Sequence, residues 1–109
     1  MYTRILRYSV IPEKKEEFLD IQQEIADTYL NSMGGRMQFI RNNNNEQEWI
    51  AIQQFESKEL YERRIEEVFE NIKGAGIPEQ LEKILLTPAE ETEMDDYYMF
   101  MEVIAEETL

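Results

Sequence analysis

The apolar residues of this chain change their spacing in a definite order, and that order leaves few folds open. Residues 2–11, YTRILRYSVI, are β-branched and aromatic, with no Gly or Pro, and read as a first strand. Pro12 ends it and suits the start of a helix. Over residues 13–33 the period becomes helical. Phe18, Ile21, Ile25, Tyr29 and Met33 recur at steps of three and four, and Glu13, Glu16 and Glu17 sit where the helix dipole favours negative charge. Gly34 and Gly35 supply a left-handed cap. Residues 36–41 and 47–56 read as a hairpin, joined by four asparagines at 42–45 that tolerate the left-handed region and bond their own backbone. Ser57 is a fitting N-cap for a second helix over 58–73, whose core face is Tyr61, Ile65, Val68, Phe69 and Ile72. Gly74 and Gly76 end that helix, and Pro78 opens a short one through Leu81, Ile84 and Leu85. Residues 87–90 have capping-box spacing and can open one more turn. Residues 90–96 read as an acidic, solvated connection and 97–104, YYMFMEVI, as the last strand.

The order is β-α-β-β-α-β, which predicts an α+β, ferredoxin-like domain spanning residues 1–109, with both helices on one face of an antiparallel sheet. In a lone copy, each strand of such a sheet alternates apolar and polar residues. Here the alternation fails, and both faces carry large apolar side chains. The expectation is that Leu6, Tyr8, Val10, Trp49, Phe55 and Phe100 would be left bare together, and that a second copy covers them sheet against sheet. The alternative is that the third helix or the segment 87–96 folds across that face.

Composition then narrows the chemistry. The chain has no Cys and no His, which excludes disulfides, thiol nucleophiles, His bases and His ligands to zinc or haem. Its net charge of −13 argues against nucleic acid as a partner. No early apolar run is free of charge, since Arg4 and Arg7 interrupt the first, and none approaches the roughly 18 residues of a membrane span. The expectation is a cytoplasmic protein with no membrane partner. The many carboxylates of the two helices read as solvated faces, so no metal site is expected.

The β-α-β-β-α-β order, the Pro-started helix after the first strand and the junction QQFESKELYER resemble the antibiotic biosynthesis monooxygenase-like domain, over residues 2–104. The resemblance implies a dimeric α/β barrel. It implies one of two activities: metal- and flavin-free oxidation of polycyclic aromatics by O2, or haem degradation. Haem degraders of this family use an Asn on the first strand, a Trp ending the third and a His on the second helix. Those positions hold Leu6 and Phe55 here, and the His has no counterpart. Tyr can ligate haem iron, but no Tyr is singled out. The resemblance therefore implies an aromatic or quinone-type ligand and no cofactor.

Orienting the third strand by Phe55 predicts an inner lining of Arg4, Leu6, Gln38, Trp49, Phe55, Tyr98 and Phe100 for ligand binding. Tyr8, Gln53 and Glu102 are the expected catalytic groups: two hydrogen-bonding side chains and one inward base, with Arg4 pairing to Glu102 or anchoring an anion. Trp49 could stack on a planar ligand or simply fill the core. Two functions remain open: a cofactor-independent monooxygenase, or a non-catalytic ligand-binding or structural homodimer of the same fold.

Overall fold

In a computed structural model, which describes residues 1–88 and 92–105, the strands are β1 (Tyr2–Ser9), β2 (Arg36–Asn42), β3 (Asn45–Phe55) and β4 (Glu93–Tyr98). The helices are α1 (Lys15–Met33), α2 (Lys58–Gly74) and α3 (Ile77–Glu82), and Pro12–Lys14 form a 3-10 turn that runs into α1. The sheet is antiparallel in the order β2-β3-β1-β4. β1 and β2 are thus separated by β3, which gives the ferredoxin-like split βαβ arrangement.

The local signals act as expected at most junctions. Ser57 Oγ accepts from the Leu60 amide at 3.1 Å and caps α2. Gly34 closes α1 at φ 69°, its amide donating to the Leu30 carbonyl. The next residue, Gly35, sits at φ 94° with its Cα pressed against the Gln54 carbonyl, so a Cβ there would meet backbone. The asparagine turn is tied by Asn42 Oδ1, which accepts from the Asn44 amide, and by Asn45 Oδ1, which accepts from Gln47. Contrary to expectation it does not use the left-handed region, since no described non-glycine residue has positive φ.

β4 departs from the sequence reading. It occupies Glu93–Tyr98, so part of the stretch expected to be a solvated connection is a strand, and most of the expected strand 97–104 is not. Antiparallel pairing explains the choice. Arg7 lies across from Glu93 and salt-bridges Asp95 at 2.7 Å, while Tyr2 donates to Asp96 at 3.0 Å. The cations and hydroxyls of β1 select the acidic segment as partner. The turn expected at 87–90 falls partly outside the described residues.

The register fixes the two faces. Tyr2, Arg4, Leu6 and Tyr8 lie opposite Phe55, Gln53, Ala51 and Trp49, and this face lies under α1 and α2. Leu6, Tyr8, Trp49 and Phe55 therefore lie on the face under α1 and α2 and are not bare, as the sequence had suggested, and Val10 is buried where it bridges Leu85 just after α3. Phe18 packs on Trp49 with ring centroids 5.2 Å apart, and Tyr29 stacks on Phe55 at 5.8 Å. Burying a phenyl side chain such as Phe18 or Phe55 contributes about 2 kcal/mol. Phe69, expected in the core, is half-exposed, while Val68 beside it is buried as expected.

Among the described residues no helix covers the opposite face. Ile5 pairs across to Ile52, and Ile40 to Ile50, which sets four isoleucines side by side next to the Arg7–Asp95 ion pair. No helix among the described residues is long and apolar enough to cross a membrane.

Candidate functional site

The helix-covered layer holds an uncommon group. Arg4 projects from β1 between two aromatic clusters, Tyr8–Phe18–Trp49 at one end and Tyr29–Phe55–Tyr61 at the other. It is only 6% exposed. Its Nη1 donates to Gln53 Oε1 at 2.9 Å and to the Tyr29 hydroxyl at 3.4 Å, and its guanidinium carbon lies 4.7 Å from the centre of the Tyr61 ring. Its Nε has no partner. Among the described residues no carboxylate lies within salt-bridge distance of it. A buried guanidinium held only by neutral groups carries a desolvation cost that a carboxylate would ordinarily offset.

The expected pairing of Arg4 with Glu102 does not form. Glu102 sits 3.7 Å from Arg36, outside the layer, so it is not an inward base. Gln38 is also displaced: it pairs with Ile52 in register and shares the helix-free face. Phe100 lies beyond β4 and is 99% exposed, so it lines nothing in this chain. The strand pattern gives period two, but it fixes neither the register of β2 on β3, which displaces Gln38, nor where β4 begins, which leaves Phe100 and Glu102 beyond the sheet. Leu6, Trp49, Phe55 and Tyr98 do share Arg4's face, as expected, although Trp49 is core beneath α1.

Sequence reasoning missed Asp96. It lies across from Arg4 on the same face, at the N-terminal end of α2, accepting from Tyr2 at 3.0 Å with Lys58 Nζ at 3.9 Å. The signal was present, since Arg4 and Tyr2 alternate with period two and need a polar cross-strand partner, but Asp96 sat within an acidic run that looked like a loop. The tyrosines around Arg4 belong to the same layer. Burial pushes Tyr8 up to about 12 and, with the Asp96 carboxylate beside it, pushes Tyr2 up to about 12. Burial also raises Tyr29 and Tyr61, against the opposing pull of Arg4. At neutral pH these hydroxyls are donors and not bases. The amide of Gln22 reaches the Tyr8 region from α1, and its buried Nε2 completes no hydrogen bond.

Of five prominent surface clefts, none is lined by Arg4, Tyr8, Trp49 or Gln53. A cleft of about 530 Å³ at the end of the sheet borders Phe55 and Glu102, with Met33, Gly35 and Arg36. β4 is the exposed strand that flanks Arg4 on β1. All six β4 residues are exposed, and Met94 and Tyr98 stand half-uncovered on Arg4's face. Tyr2 links Tyr98 to Tyr61, with centroids 6.1 and 5.3 Å away. Among the described residues no cluster of three or more acidic side chains is arranged to hold a metal.

The sheet order and helix placement define a class: a four-stranded antiparallel α+β domain of ferredoxin-like form. Within that class the chain has the fold of antibiotic biosynthesis monooxygenase-like proteins. It superimposes on SnoaB, a cofactor-independent oxygenase from Streptomyces nogalater, with a TM-score of 0.67, 13% identity and coverage of 94% of this chain and 95% of that one. A Nitrosomonas europaea protein described provisionally as an antibiotic biosynthesis monooxygenase gives 0.68 at 13% identity, covering 93% of this chain and all of that one. A conserved protein from Methanosarcina mazei gives 0.65 at 19% identity, with 89% and 91% covered. No family model matches the sequence, and no curated protein matches it.

Proposed function

We propose that this protein binds a small aromatic or quinone-type molecule in the layer between helices and sheet, and oxidises it with O2 without a bound cofactor. The observation that carries this reading is the buried, carboxylate-free Arg4 beside the uncovered aromatic edge of β4. SnoaB, a cofactor-independent oxygenase of the same fold, supports it. Asp96 takes the proton of a phenol or enol. Arg4, Gln53 and Tyr8 donate to or polarise the developing oxyanion. The electron-rich anion then reacts with O2, one oxygen atom becoming a ring carbonyl and the other leaving as water. Tyr61 and Tyr98 give flat surfaces for the ring.

A non-catalytic reading is favoured by one observation, that none of five prominent surface clefts is lined by Arg4. Oxygen uptake on a panel of hydroquinones and polycyclic phenols, with a chelator present, separates the two. The expected result is uptake that survives the chelator and falls on the order of 10²-fold in Asp96→Asn and Gln53→Ala. No uptake on any substrate would leave the binding protein as the reading that stands.

The same proposal includes a homodimer. Its ground differs from the sequence expectation, because the apolar residues on the helix-free face are Ile5, Ile40, Ile50 and Ile52, of which Ile40 is half-exposed and the others partly so. In the segment after β4, Phe100, Met101, Val103 and Ile104 are at least three-quarters exposed. Exposed apolar side chains of this kind mark a surface that a partner copy can cover. Cytoplasmic residence belongs to the same reading.

A further inference from the structure

We infer that the ligand of this layer is a planar aromatic monoanion, a ring carrying a carboxylate or an acidic phenol, whose charge is held by Arg4. This rests on the reading of the layer as a ligand site and adds the charge of what enters it. Arginine stays charged in proteins, and Arg4 is buried. Its three partners, Gln53, Tyr29 and the ring of Tyr61, are neutral. The chain has 24 carboxylates, yet none is given to this cation among the described residues. The nearest by register, Asp96, is engaged by Tyr2 and Lys58.

Donors, meanwhile, are in surplus. Arg4 Nε and Gln22 Nε2 are both buried and unpartnered. A site with a net positive charge and spare N–H groups is complementary to an acceptor-only group, and a carboxylate or phenolate is such a group. The surroundings select a flat one. Tyr61 lies over the guanidinium, and Tyr2 and Tyr98 continue the aromatic surface to the exposed edge of β4. That surface runs from the exposed edge of β4 to the guanidinium, so a flat ring stacked along it brings its charge to Arg4.

The test uses two probes of nearly equal shape, 1-hydroxy-2-naphthoate and its methyl ester, in equilibrium dialysis against the full chain at neutral pH. The acid should bind at least about tenfold more tightly than the ester. Arg4→Gln should remove that preference while ester binding persists, and Asp96→Asn should widen it by removing the adjacent negative charge. Equal binding of acid and ester to the unaltered protein would overturn the inference while leaving the ligand site in place, and it decides the matter even if Arg4→Gln does not fold. A preference that survives Arg4→Gln would overturn it as well. Binding of neither probe would sink the site itself and the inference with it.

Discussion

Burial does more at Tyr2 and Tyr8 than add apolar area. Each keeps its proton in the folded chain at a pH where the unfolded chain has lost it, because folded values of about 12 stand above the ordinary 10.0. For an acid raised on folding, the associated stability is complete below pH 10.0 and is lost as the pH climbs from there toward about 12. Denaturation midpoints measured across that window should therefore fall steeply, and Tyr8→Phe, which has no proton to lose, should fall less steeply. An unchanged slope in Tyr8→Phe would mean that its hydroxyl is solvated. The residues of this layer were legible in sequence only in part. Arg4, Gln53 and Tyr8 stood out as polar groups in phase with Leu6 and Phe55. Tyr29 and Tyr61 were visible as members of helical stripes, yet nothing in a stripe says that two helices deliver them to one guanidinium.

The elements were written more plainly, because caps and breakers act within a few residues. Ser57 and Gly35 do so by different means, which a pair of substitutions separates. Ser57→Ala removes one side-chain hydrogen bond at the start of α2 and should cost about 1 kcal/mol. Gly35→Ala places a methyl against the Gln54 backbone at a φ that side-chain-bearing residues resist, and should cost more, about 2–4 kcal/mol. Urea unfolding of the two variants checks the order; a milder effect at Gly35 would mean that the junction between α1 and β2 yields easily. β4 is the element that local signals misplaced. YYMFMEVI has the better strand composition, but the partner decides. β1 offers Arg7 and Tyr2 at spacings that Asp95 and Asp96 answer, and cross-strand pairing outweighs intrinsic preference.

At the scale of the whole molecule, the helix-free sheet face sets the expected assembly. Light scattering at micromolar concentration should give about twice 13.1 kDa. Ile52→Glu sets a charge in the middle of that face and, leaving the helix-covered core untouched, should yield a folded monomer. A monomer from the unaltered chain would retire the dimer without touching the layer around Arg4, since the two lie on opposite sides of the sheet.

The order of strands and helices, their caps and the chemistry excluded by the lack of Cys and His were determined by the sequence alone, since periodicity, capping and composition are local properties of the chain. Only the tertiary structure decided which sheet face α1 and α2 cover. A two-residue period marks two faces but gives neither of them to the helices. That choice put Trp49, Phe55 and Arg4 under the helices, while the register of β2 on β3 turned Gln38 to the other side of the sheet and the placement of β4 made Asp96, rather than Glu102, the carboxylate beside Arg4 in register.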